Sequence, residues 1–157
     1  MGVETEKKFL VKKDGWEKVK GQGTLYRQGY LLRAADKTVR IRLIEGDKGY
    51  LTIKGKTEGF SRPEYEYPVP LKDAEELLRN FCDAVISKKR YKVQVEDKLW
   101  EVDEFLEDNE GLIMAELELK NEGDVFHLPD WIDREVTEDP RYYNSQLSVY
   151  PFKNWTP

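Results

Sequence analysis

Several stretches of this chain place an ionic residue at every second position, and the signs are sorted stretch by stretch. "VETEKKFLV" (3–11) sets Glu4, Glu6 and Lys8 on one face and Val3, Thr5, Lys7 and Phe9 on the other. "VRIRL" pairs Arg40 with Arg42, "LTIKG" carries Lys54, "EYEYP" pairs Glu64 with Glu66, and "SKKRY" pairs Lys88 with Arg90. "WEVDEF" carries Asp103, and "MAELEL" pairs Glu116 with Glu118. In an extended strand, residues i and i+2 point to the same side, so each stretch has an ionic face and a second, mostly apolar one. An antiparallel sheet with one solvated face explains any one such strand. It explains the set poorly, because solvated faces mix Thr, Ser, Gln and both charge signs. Two like charges about 4 Å apart repel by roughly 4 kcal/mol at an effective dielectric near 20. Paired arginines therefore point to a bound anion, paired glutamates to bound cations, and both in one cavity to a metal–polyphosphate complex.

The remaining pattern says how such a cavity is built. Strands are expected at 2–11, 24–33, 37–45, 48–55, 62–69, 86–96, 98–106 and 112–121, with turn signals "EGDKG", "EDK" and "EDNEG" between them. One helix is expected at 71–81, where Leu71, Ala74, Leu77, Leu78 and Phe81 recur at helical spacing after Pro68 and Pro70. Shorter helical stretches are expected in 12–20 and 144–150. Many strands of similar length with few helices make an α+β, mainly β chain, either a sandwich or a barrel. Closing the sheet would both create a cavity and remove the edges.

Composition narrows the function classes. The 157 residues suit one domain, 1–157. Charged residues make up 36% of the chain against about 25% in typical proteins, and a net charge of −5 disfavours a nucleic-acid or anionic-membrane partner. The single cysteine, Cys82, forbids an internal disulfide. The first residues are charged, and no run nears the roughly 18 apolar residues of a membrane span, so a cytoplasmic location is expected. A single histidine, His127, excludes a multi-histidine zinc site. Gly49 and "GKT" at 55–57 have the wrong spacing for a phosphate-binding P-loop, and no helix follows. Trp16, Trp100, Trp131 and Trp155 are expected as core or rim aromatics.

The ordered set of charges resembles the CYTH superfamily, the triphosphate tunnel metalloenzymes. The likeness begins with E-x-E-x-K at Glu4, Glu6 and Lys8. It continues through R-x-R at Arg40 and Arg42, Lys54, "SRPEYE", "KKRY", Asp103 and E-x-E at Glu116 and Glu118. "RQGYL" (27–31) and "EVTEDPRYYN" (135–144) also resemble the small bacterial members. Thr5 and Lys7 depart from the usual apolar spacers. The resemblance implies an antiparallel closed barrel of about eight strands with a few flanking helices. It also implies hydrolysis of a small triphosphate, above all inorganic tripolyphosphate, with Mg²⁺ or Mn²⁺ and two ions during catalysis.

On that basis Arg40, Arg42, Lys54, Arg62, Lys88 and Arg90 are expected to bind triphosphate, and Glu4, Glu6, Asp103, Glu116 and Glu118 the metal. Glu64 and Glu66 complete the acidic wall. Lys8 and Tyr30 are the catalytic candidates; Lys8 would orient water or hold a phosphate, its part as a base being open. The expected step is in-line attack of a metal-activated water on the terminal phosphorus. Thiamine-triphosphatase, nucleoside triphosphatase and class IV adenylyl cyclase activities share the same residues. A non-catalytic polyphosphate- or nucleotide-binding module would not need so many metal ligands, and a lipocalin-like barrel would have an apolar interior. The sequence leaves the oligomeric state open, a homodimer included.

Overall fold

The computed structural model describes residues 2–156; of the expected domain 1–157, Met1 and Pro157 lie outside the described residues. The elements run β1 (Gly2–Val11), α1 (Lys13–Val19), β2 (Thr24–Arg33), β3 (Lys37–Ile44), β4 (Gly49–Gly55), β5 (Ser61–Val69), α2 (Leu71–Phe81), β6 (Val85–Val95), β7 (Lys98–Phe105), β8 (Ile113–Glu118), β9 (Ile132–Glu135) and α3 (Asn144–Leu147). Antiparallel pairings give the order β5-β4-β3-β2-β6-β7-β8-β1, and β5 pairs back onto β1 to close an eight-stranded barrel. The expected closed, mainly β barrel is thus what forms.

β1 is the seam. β8 pairs with Glu6–Leu10 along one edge. On the other, β5 pairs with Gly2–Thr5 and β9 takes over at Phe9–Val11. The ninth strand was not expected: "IDRE" is four residues long and too polar to show alternation. The expected strand 112–121 ends early, at Glu118, because the Asp124 carboxylate accepts the backbone N–H groups of Lys120 and Asn121 and turns the chain away.

The apolar faces pack outward in two layers. Phe9, Trp100, Val102, Ala115 and Leu117 form one buried cluster beneath Trp16 of α1 and Trp131. Trp16 is fully buried, and its Nε1 donates to Glu104 Oε2 at 2.8 Å. Ala74 and Leu78 of α2 cover Ile41 and Leu43 of β3. Gly49 permits this approach, since a Cβ there would collide with that of Ala74. No helix among the described residues is long and apolar enough to cross a membrane.

A third cluster lies inside. Leu10, Ile86, Phe105 and Met114 keep the inward parity of Lys8, Lys88, Asp103 and Glu116, and they pack with Tyr142 and Leu147. The C-terminal segment therefore fills one end of the barrel with apolar side chains, and the charged part of the interior is a cavity stopped at that end.

Candidate active site

The inward positions of the strands enclose a cavity of about 660 Å³. Every charged or tyrosine site residue expected from the sequence lines it, with one exception: Glu4, Glu6, Lys8, Tyr30, Arg40, Arg42, Lys54, Arg62, Glu64, Glu66, Lys88, Arg90, Glu116 and Glu118 are all on its wall. Asp103 is not. It sits behind the wall, 1% exposed, with both oxygens engaged by cations. Arg90 grips it bidentately at 2.7 and 2.8 Å, and Lys88 Nζ lies 2.8 Å away. Expected as a metal ligand, Asp103 is here the anchor of two basic residues.

The basic bank comes from β3, β4 and β6. Arg90 is the most firmly tied, since its Nη2 also donates to Glu116 Oε1 at 2.9 Å; these partners, against the cost of burial, hold its proton more tightly than usual. Arg42 has no carboxylate partner within ion-pair distance among the described residues. Its Nε donates to Gln28 Oε1 at 2.9 Å, and its guanidinium lies over Tyr26. Burial, then Arg40 and Arg90, pull it down to about 9. Arg40 Nη2 reaches Thr52 Oγ1 at 3.3 Å and stands 3.8 Å from Glu66, while its buried Nε has no protein partner. Burial and the flanking Arg90 and Arg42 pull Lys88 down to about 7 against Asp103. A buried set of like charges so placed favours an anion between them.

The acidic wall comes from β1 and β8, with β5 beside it. Glu4 is held to about 2: burial would raise it, but Lys54 at 3.1 Å, Arg62 at 3.2 Å and Lys8 outweigh that. Glu6 moves the other way, up to about 7, through burial and the nearby Glu116 and Glu4. Lys8 Nζ bridges Glu6 at 2.6 Å and Glu116 at 3.3 Å. Despite burial, these carboxylates raise its proton affinity. Glu64 and Glu118 are both raised by burial and by Glu4.

These carboxylates fit a hard divalent cation. Glu6 is driven toward its protonated form by burial and its acidic neighbours, and a cation would relieve the same crowding. Among the described residues no three acidic, histidine or cysteine side chains converge into a ready-made cage. Mg²⁺ asks for less, since it usually takes one or two carboxylates, several waters and phosphate oxygens.

Several wall residues escaped the sequence reading. Tyr26 shares the inward parity of Tyr30 and Glu101 that of Asp103, so parity alone could have found them; Gln28 and Thr52 share the parities of Tyr30 and Lys54 but are fully buried and not on the wall. Tyr143 and Asn144 come from the C-terminal segment, where nothing in the sequence places them at the cavity. The Tyr143 ring lies 5.6 Å from Lys8 Nζ. Arg141 instead pairs with Asp139 at the surface.

Comparison with known proteins agrees with this geometry. A family model described as the CYTH domain matches residues 3–149. An inorganic triphosphatase of Acetivibrio thermocellus is 54% identical, over 99% of both chains. One from Nitrosomonas europaea is 34% identical over 94% of this chain and 97% of its own. The solved structure of an inorganic triphosphatase superposes with a TM-score of 0.66 at 31% identity, covering 95% of this chain and 96% of that one.

Proposed function

The chain belongs to the CYTH domain family, and from that premise we propose that it hydrolyses inorganic tripolyphosphate to pyrophosphate and phosphate with a divalent cation. One observation carries the reading: a single cavity sets a basic bank of Arg40, Arg42, Lys54, Lys88 and Arg90 against an acidic wall of Glu4, Glu6, Glu116 and Glu118. A metal–polyphosphate complex has that charge pattern in reverse. We also take the chain to act as one domain, since β1 and α3, near its two ends, both supply wall residues.

Each residue has a task that its surroundings set. Arg40, Arg42 and Arg90 neutralise phosphate oxygens, the planar guanidinium presenting two donors at once. Lys54 and Arg62 hold Glu4 ionised, ready to act as an oxygen ligand. Glu4, Glu6, Glu116 and Glu118 would hold Mg²⁺ or Mn²⁺, with phosphate oxygens completing the coordination. When bound, the cation supplies charge neutralisation and a more acidic water. Water attacks the terminal phosphorus, the bridging P–O bond breaks, pyrophosphate leaves, and the proton lost by the water passes to a phosphate oxygen of the products or to solvent. Lys8 keeps its proton and donates to the phosphoryl oxygens or the incoming water. Asp103 fixes Arg90 and Lys88 from behind. Most of the acceleration in such a reaction comes from positioning and electrostatic stabilisation.

The test is phosphate release from tripolyphosphate, thiamine triphosphate and ATP with Mg²⁺ or Mn²⁺, with cyclic AMP measured alongside. Fastest release from tripolyphosphate is expected, with no cyclic AMP. No turnover of tripolyphosphate under either metal would overturn the reading.

A further inference from the structure

Two uncharged side chains tie the basic bank to the closed end of the barrel. Gln28 is fully buried on β2. Its Oε1 accepts from Arg42 Nε at 2.9 Å, and its Nε2 donates to Asn144 Oδ1 at 3.1 Å. The same Asn144 oxygen accepts from Lys88 Nζ at 3.0 Å. A continuous line of hydrogen bonds therefore runs Arg42–Gln28–Asn144–Lys88 and joins β3, β2 and β6 to the C-terminal segment; the Lys88–Asp103 ion pair extends it to β7.

The choice of amides separates this corner from the next one. Arg90 is positioned by carboxylates, Asp103 and Glu116, which also neutralise it. Arg42 is positioned by an amide, which orients a guanidinium equally well and cancels none of its charge. Lys88 shares Asp103 with Arg90, so one carboxylate serves two cations, and the further partner of Lys88 is again an amide. We propose that Gln28 and Asn144 are positioning residues of the anion site: they fix Arg42 and Lys88 without neutralising them and so reserve that charge for the phosphates. The inference rests on the triphosphate reading, because it assigns the reserved charge to that substrate. A stitching role for the two amides, holding α3 to the barrel, would need the hydrogen bonds but not the neutrality.

Asn144→Asp separates the two. The variant keeps an oxygen that accepts from both Gln28 and Lys88 and adds one negative charge. The readouts are the Kd for tripolyphosphate by calorimetry in EDTA, KM and kcat with Mg²⁺, and the melting temperature. The expected result is a Kd and a KM at least 10-fold weaker, with no fall in melting temperature. Gln28→Glu makes the same test beside Arg42, and a similar loss of affinity is expected. Unchanged affinity in Asn144→Asp would overturn the inference. So would failure of that variant to fold, since it retains every hydrogen bond that Asn144 accepts. The wild type keeps the two readings apart. Wild-type binding without hydrolysis sinks the triphosphatase reading and leaves this one standing. Wild-type hydrolysis with full affinity in Asn144→Asp sinks this one alone.

Discussion

Lys8 and Phe9 are neighbours on β1, and they belong to different problems. Lys8 faces the cavity, where charges of each sign crowd together and several groups are pushed from their usual proton affinities. Phe9 faces outward, into the aromatic cluster of Trp16, Trp100 and Trp131. The inner face spends stability for function, and the outer face supplies it. Because the strand alternates, parity separates the two along the charged part of the barrel, so there a substitution's effect should follow from which way its position faces; toward the closed end the inward Leu10, Ile86, Phe105 and Met114 are apolar core as well.

The largest effect is expected on the outer face. Trp100 is fully buried, and Trp100→Ala should cost about 3–5 kcal/mol of stability. The kcat/KM of the protein that remains folded should be unchanged, as read by denaturant unfolding beside tripolyphosphate turnover. Arg40→Gln is the mirror case. Loss of one preorganised charge donor should lower kcat/KM by roughly 10²–10³-fold. The melting temperature should hold or rise, since a buried unpartnered Nε and a like charge are both removed. A fall in stability comparable to that of Trp100→Ala would break the comparison.

Glu6 tests the cost of the inner face directly. Its pKa is raised from 4.5 to about 7 on folding, so the folded state holds that proton more tightly. Its contribution is complete below pH 4.5 and is lost as pH rises through about 7. Metal-free wild type should therefore lose stability across that window, by at most roughly 3 kcal/mol from this group, and Glu6→Gln should lack that part of the slope. The smallest expected effect is outward again. Trp16→Phe removes the hydrogen bond to Glu104, which keeps Lys20 and Tyr91 as donors. A cost of about 1 kcal/mol is expected, with turnover unchanged.

The same parity explains what the sequence made legible. Alternation marked eight strands, and periodicity marked α2, because each pattern runs long enough to fix a period. β9 is four residues long, too short to carry one, and α3 forms over only Asn144–Leu147 of the helical stretch expected at 144–150. Charged inward residues stood out because their signs were sorted. Gln28, Thr52 and Asn144 did not, since a neutral side chain takes its meaning from partners that only the fold supplies. Parity also cannot tell a residue on the wall from one behind it, so it placed Asp103 with the wall carboxylates, whereas the fold sets it behind the wall against Arg90 and Lys88. Consecutive apolar residues at "FLV" (9–11) did hold a clue to the apolar stop: where both parities are apolar, both faces are buried.

The central claim is that the crowded basic bank is an anion site whose repulsion a polyphosphate relieves. Thermal melting in EDTA, with and without tripolyphosphate, tests it without turnover. A ligand that binds only the folded state stabilises it in proportion to its affinity. Tripolyphosphate should raise the wild-type melting temperature by several degrees and leave that of Arg40→Gln almost unmoved. Equal shifts in both proteins, or no shift in the wild type, would contradict the account.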